Sequence, residues 1–431
     1  MSTTSSTTSM SSTSRRPRVS RWALQEIGEV CDDQVRTPEI LALPQISRSE
    51  LEVISLLGEG GFSSVYQVKR GEEVMALKQL RKHKNGREEE EWVLAVFDLC
   101  NEISLLAKLG PHENIVAIRG VCRMSVSQAY RKDLEGYFFV MEKLEDTLGN
   151  RLKEWRQQVG RHNPLRRRNE AELLGQMNER LEQVAIGIAR AMSYLHSMDF
   201  QIAIRDLKPQ NVGFDKNGVV KLFDLGMARH VHDTDTAELA GTFRYISPEA
   251  IMGHRIGLNS DVYSFGVILY ELATLLKPFD HYFQKGKLVR KDAFYESVVV
   301  GGWRPSLSTV PCRATRRLIE KCWDPAPRAR PCFDRIYFLL NQIVSNKTVE
   351  PPPPPPVAET ILESKLESLS IEAKSALSLE AKSDLEKPAL RINSSFRGLF
   401  RGLKPSTKEK RRMCSDTTND TTSRSTATAS L

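Results

Sequence analysis

The sequence predicts an α+β domain of two lobes over residues 51–344, flanked by polar tails. Three observations predict it. Strand-like runs come first, at 51–57, 65–69 and 74–79. Helical periods then dominate: Ala95, Leu99, Ile103 and Leu106 recur at threes and fours, and so do Leu181, Val184, Ile188, Met192 and Leu195. The composition also changes at both ends, from a Ser/Thr-rich start to a run of six prolines at 351–356. Strands grouped ahead of helices, with further short strands at 137–141, 212–214 and 219–223, give segregated lobes rather than a parallel sheet wrapped by helices.

Residues 1–50 read as a mostly disordered, Ser/Thr-rich tail, because their start holds too little apolar surface to offset chain entropy. The acid-free, Arg-containing opening is also a transit-peptide composition. Residues 345–431 read as a Pro-rich linker and a largely disordered basic and Ser/Thr-rich tail. The prolines favour polyproline II and suit a proline-recognition domain. In 394–412, Phe396, Leu399, Phe400 and Leu403 fall at helical spacing among Arg397, Arg401 and Lys404, the pattern of a basic amphipathic segment for an anionic lipid or acidic partner. A disordered basic tail or a nuclear import signal is the alternative. Residues 144–180 read as a solvated surface insertion.

The 431 residues are 40% apolar and 27% charged, with mean hydropathy -0.37. No apolar run is long enough for a membrane span. Seven scattered cysteines, none in a C-x-x-C pair, argue against a disulfide scaffold or zinc finger and fit a reducing compartment. The net charge of +8 is not concentrated in any overwhelmingly basic segment, so nucleic acid is not an expected partner. The expected location is the cytoplasm, with the nucleus as alternative.

Chemistry enters with Gly58-Glu59-Gly60-Gly61-Phe62-Ser63-Ser64-Val65 between two strands. Glycines let backbone amides approach phosphates. No Gly-Lys-Ser/Thr follows, so this is not a Walker A loop. A strand follows rather than a helix, which disfavours a dinucleotide fold. Lys78, in Ala76-Leu77-Lys78, lies one hairpin away and can reach the same phosphates. Glu102, on an apolar-periodic helix, could hold Lys78 by an ion pair. Ile204-Arg205-Asp206-Leu207-Lys208-Pro209-Gln210-Asn211 then precedes Asp224-Leu225-Gly226, with two short strands between them.

This ordered set resembles the eukaryotic protein kinase catalytic domain over residues 51–344, with a small, mainly β N-lobe and a larger, mainly α C-lobe. Gly241-Thr242-Phe243-Arg244-Tyr245-Ile246-Ser247-Pro248-Glu249 and Asp261-Val262-Tyr263-Ser264-Phe265-Gly266 extend the resemblance. It implies ATP and Mg²⁺ as cofactors and proteins as substrates. Lys78, paired with Glu102, would hold the α- and β-phosphates. Asn211 and Asp224 would hold Mg²⁺, Asp206 would take the acceptor proton, and Lys208 would neutralise the γ-phosphate. Leu57, Val65 and Ala76 would roof the adenine, with Met141 as gatekeeper and Glu142–Leu144 as hinge. Lys208 and Thr242 match serine/threonine kinases, whereas Gly120-Val121-Cys122 and Lys321-Cys322-Trp323 resemble the tyrosine-kinase-like group. The alternative is a kinase-fold scaffold of weak or no activity.

Ser63, Ile204, Leu225 and Gly213 depart from the family pattern. Gly213 implies an open floor under the adenine, which a leucine would refill. Arg205, beside Asp206, implies control by an anion on the segment 224–249. Thr234 and Thr236 are candidate phosphate acceptors, Glu238 is a built-in anion, and Arg229 and His230 are candidate receivers of the charge.

Overall fold

The structure, a computed structural model, describes residues 21–80, 89–131, 136–161, 169–233, 241–254 and 256–345. Apolar alternation and tight turns build the first lobe. It comprises α1 (Arg21–Gln34), α2 (Pro38–Leu41), β1 (Gln45–Ile46), β2 (Glu52–Glu59), β3 (Ser63–Arg70), β4 (Glu73–Leu80), α3 (Glu89–Leu109), β5 (Ile118–Cys122), α4 (Val126–Arg131) and β6 (Phe138–Glu142). The strands form one sheet in the order β1-β5-β6-β4-β3-β2. Only β1 and β5 run parallel; the other pairs are antiparallel.

The expected tail fails between residues 21 and 50, which are ordered; residues 1–20 lie outside the described residues. In α1, Ala23, Ile27 and Cys31 recur every four residues and are fully buried against α3 and α4. The Cys31 thiol meets that of Cys100. Asp32 accepts from the backbone N–H of Ser127 at 3.1 Å and from its hydroxyl at 2.6 Å, fixing α1 to the start of α4. The N–H groups of Val121 and Arg123 donate to the carbonyls of Pro44 and Ile46, at 3.0 and 2.9 Å, so β1 becomes an edge strand. Gly120 makes this approach feasible, because a Cβ there would stand 2.6 Å from Ile46 Cδ1 and 2.8 Å from the Pro44 oxygen.

The second lobe contains β7 (Asp146–Thr147), α5 (Leu148–Arg161), α6 (Glu170–Arg180), α7 (Ile186–His196), β8 (Ile202–Ala203), β9 (Val212–Phe214), β10 (Val220–Leu222) and β11 (Arg229–His230). It continues through α8 (Pro248–Ile251), α9 (Leu258–Thr274), β12 (Phe283–Gln284), β13 (Lys287–Leu288), α10 (Lys291–Phe294), α11 (Arg313–Cys322) and α12 (Phe333–Ser345). Its core lies on α9, buried without a break from Ser260 to Ala273. The rings of Phe265 and Phe333 join α9 to α12, 5.4 Å between centroids.

The expected surface insertion is instead largely helical. Leu148 and Leu152 bury one face of α5, and Arg151 lies over the Phe214 ring at 3.3 Å. The helix α6 begins at an Asn169 cap that accepts the Glu172 N–H at 2.7 Å. Residues 162–168 lie outside the described residues. The helix read at 181–195 is present, with a π turn over Leu181–Ala185 ahead of α7.

Candidate active site

The cleft between the two lobes collects the predicted residues. Antiparallel pairing sets Val65 opposite Lys78 and Ala76 opposite Met141, so the glycine turn, the lysine and the gatekeeper position share one sheet. The turn is closed by the Gly60 N–H donating to the Ser63 carbonyl at 2.8 Å. The strand β2 is exposed throughout, including Leu57, Gly58 and Glu59; Gly61 and Phe62 are exposed too, whereas Ser64 is buried. Ala76 and Met141 are buried, and Val65 is half-buried.

Lys78 Nζ contacts Glu102 Oε2 at 2.6 Å and Asp224 Oδ1 at 2.5 Å. Burial opposes its charge, but Asp224 and Glu102 more than offset this and raise the Lys78 pKa. The Lys78 ammonium in turn holds Asp224 below the usual aspartate value. Glu102 Oε1 accepts the Leu225 N–H at 3.2 Å, tying α3 to the segment after Asp224.

The second cluster surrounds Asp206. Lys208 Nζ lies 2.5 Å from its Oδ2, Thr242 Oγ1 lies 3.2 Å from its Oδ1, and the Asn211 amide donates to its carbonyl at 3.0 Å. Burial pushes the Asp206 carboxyl above its ordinary value, while Lys208 opposes the shift. Asp261 of α9 anchors the loop, accepting the N–H groups of Ile204 and Arg205 at 2.8 and 2.9 Å. The same carboxylate holds His196 at 3.0 Å, consistent with a packed helix-end role. Arg205 and Asp224 have φ of 70° and 62°, a left-handed conformation that costs about 1–3 kcal/mol per residue and clusters at functional sites.

Several contacts escaped the sequence reading. Asn101 donates to the carbonyls of Gly226 and Ala228 at 3.0 and 2.8 Å. Asp98 binds Arg229 at 2.8 Å. It lies four residues before Glu102, one turn along the same helix face, a spacing that could have signalled it. Arg229 is therefore engaged by Asp98 and by the Gly226 and Ala228 carbonyls rather than offered to a phosphate. Glu142, in the hinge, accepts the Ala117 N–H at 2.8 Å and pairs with Lys221 at 3.2 Å.

The open floor expected at Gly213 is filled. A Cβ there would meet Leu144 Cδ1 at 2.5 Å and Phe223 Cε1 at 3.3 Å, so Leu144 closes the space from the hinge side. Thr234, Thr236 and Glu238 lie outside the described residues, as do 351–356 and 394–412.

Asp224 and Asn211 offer hard oxygen donors in the cleft. Asp224 is held anionic, and its side chain is 44% exposed. Such a pair fits Mg²⁺, which keeps several waters and takes few protein ligands when phosphates supply the rest. Among the described residues, no group of three or more His, Cys, Asp or Glu is placed to hold a metal. No described helix is long and apolar enough to cross a membrane.

A family profile described as protein kinase domain matches residues 51–339. The chain belongs to the protein kinase family. It is similar to the dual specificity protein kinase shkD of Dictyostelium discoideum, 30% identical over 313 residues, 71% of this chain and 36% of the relative. The dual specificity protein kinase shkC of the same organism is 28% identical over 312 residues, covering 71% and 54%. Mitogen-activated protein kinase kinase kinase 10 of Homo sapiens is 32% identical over 316 residues, covering 69% and 28%. These relatives are consistent with the tyrosine-kinase-like grouping. The chain thus covers between 28% and 54% of their lengths.

Proposed function

We propose that this kinase is catalytically active and transfers the γ-phosphoryl group of Mg²⁺-bound ATP to serine and threonine hydroxyls of proteins in signal transduction. The observation that carries the reading is the pairing of Lys78 with both Glu102 and Asp224 in a cleft that also holds Asp206, Lys208 and Asn211. A scaffold would have no need of three paired charges at its centre, whose desolvation is costly.

Phosphoryl transfer needs charge neutralisation and in-line positioning more than covalent help. Lys78 would steady the α- and β-phosphates, and backbone amides of 58–65 would cover them. The backbone of 142–144 would bond the adenine edge beneath Leu57, Val65 and Ala76. Asp206 would orient the acceptor hydroxyl and accept its proton, with Lys208 neutralising the phosphoryl oxygens. Mg²⁺, held by Asn211 and Asp224, would supply further neutralisation of the phosphate charge. The Thr242–Asp206–Lys208 cluster supports serine and threonine as acceptors; the dual specificity of shkD and shkC makes tyrosine the second reading.

Radiolabelled ATP supplied to the purified protein, followed by phosphoamino-acid analysis, tests this. Label on serine and threonine is expected, with at least about a hundredfold loss in Asp206→Asn, as for removal of a general base, and a comparable loss in Asp224→Ala. Unchanged turnover in Asp206→Asn would overturn the assignment, and label confined to tyrosine would overturn the acceptor class.

A further inference from the structure

A cavity of about 490 Å³ lies beside the catalytic loop, and none of its lining residues belongs to the glycine turn, β4 or the hinge. Pro209 and Gln210, three and four residues after Asp206, are among its lining residues. Its acidic groups are already engaged. Glu271 accepts the Tyr245 hydroxyl at 2.6 Å and pairs with Arg156, whose Nε also donates to the Leu275 carbonyl at 2.6 Å. Asp280 meets Arg244 at 3.2 Å, and the Arg244 guanidinium also lies over the Phe283 ring, 4.1 Å from its centroid.

Two further cations line the cavity, Lys277 and Lys285, both exposed. No ion pair among the described residues engages either one. Lys285 occupies the two-residue turn between β12 and β13 at φ 48°, a conformation uncommon for a non-glycine residue. The lining therefore carries four cations against two carboxylates, both already paired. A cavity with surplus positive charge draws an anion.

The chain itself limits the distance to the reaction centre. Gln210 is four residues from Asp206, and a chain spans at most about 3.6 Å per residue, so the lining begins within roughly 15 Å of the Asp206 backbone. An extended peptide crosses that distance in about four residues.

We propose that this cavity is a specificity subsite that takes the carboxylate of an aspartate or glutamate within about four residues of the acceptor hydroxyl of a protein substrate. The inference rests on the kinase reading above and adds a substrate class to it. Lys277 and Lys285 supply the unpaired charge, while Arg156 and Arg244 hold the acidic residues that would otherwise repel the substrate.

The test uses the full chain and fluorescent peptides with one serine among neutral residues. A single glutamate is walked through about four positions on each side of that serine. Anisotropy gives Kd, and radiolabelled ATP gives kcat/KM. At one or two positions glutamate is expected to lower Kd and KM roughly threefold to tenfold, the scale of one or two partly exposed charge pairs, with the gain shrinking at high salt. In Lys277→Glu/Lys285→Glu the ratio of acidic to neutral peptide is expected to reverse, with lysine favoured at the same position. Equal Kd for all peptides, or an acid preference that survives in the double variant, overturns the subsite. Glutamate-dependent binding without phosphoryl transfer leaves the subsite standing and overturns the kinase reading; transfer indifferent to glutamate does the reverse.

Discussion

Gly120→Val should detach the N-terminal strap, the segment from α1 to β1, from the sheet. The added Cβ would fall 2.6 Å from Ile46 Cδ1 and 2.8 Å from the Pro44 carbonyl oxygen. The isoleucine tip can rotate away. The carbonyl is fixed, because it accepts the Val121 N–H at 3.0 Å. Valine adds two more carbons, so β1 must lift. That puts two backbone hydrogen bonds at risk, each with a net value of about 1 kcal/mol. It also uncovers Ile46, now fully buried, whose complete exposure would cost about 1.5–3 kcal/mol. Partial relaxation brings the expected loss to about 2–4 kcal/mol, near the upper range for overpacking. At roughly 2–4 °C per kcal/mol, the melting temperature should fall by about 4–16 °C. Hydrogen exchange should quicken first at 21–46, and turnover should drop because α1 covers the helix carrying Glu102. A melting temperature within about 1 °C of wild type, with those amides still protected, would refute the reasoning.

Gly213→Leu is expected to raise the KM for ATP severalfold, because Leu144 and Phe223 already occupy the space; a lower KM in a folded variant would mean that Leu144 yields readily. For the pH profile, Asp206 must be unprotonated to accept a proton, and burial raises its pKa, so kcat/KM should rise with pH through a value above the ordinary 3.8. Lys208→Met removes the opposing charge and should move this acid limb to higher pH; an unmoved limb would separate it from Asp206. Arg330 holds Glu249 in a buried bidentate pair at 2.6 and 2.9 Å. Arg330→Met should cost about 3–5 kcal/mol in a denaturant titration, because it strands a buried carboxylate. Burial would raise the Glu249 pKa, but Arg330 lowers it, so the pair's contribution should fade in the wild type as pH falls through the depressed Glu249 value, and a pH-independent difference between the two proteins would contradict this.

The central strands and the charged cleft were legible because they rest on local signals: a glycine turn between β-branched runs, and polar motifs that each fall within a few residues. Contacts across the chain were not. Arg229 could not be paired from sequence with Asp98, 131 positions away. At Gly213 the sequence reveals a missing side chain but not its replacement, since Leu144 arrives from another segment. The helix α1 was hidden for a different reason. Its stripe of Ala23, Ile27 and Cys31 is one residue wide and follows a Ser/Thr- and Arg-rich run that carries no apolar signal. The buried face of α5, Leu148 and Leu152, is equally narrow and sits among charges.

The strap also bears on where this catalytic domain can be cut. Family similarity begins at residue 51, whereas β1 and the buried face of α1 lie before it. A chain trimmed to the matched residues would leave β5 with an unpaired row of backbone donors and acceptors beside a newly uncovered apolar helix. An open edge next to exposed hydrocarbon is a template for pairing with another copy. Such a fragment should retain every charged residue of the cleft and still be lost to self-association, so its inactivity would say nothing about the chemistry of the intact protein.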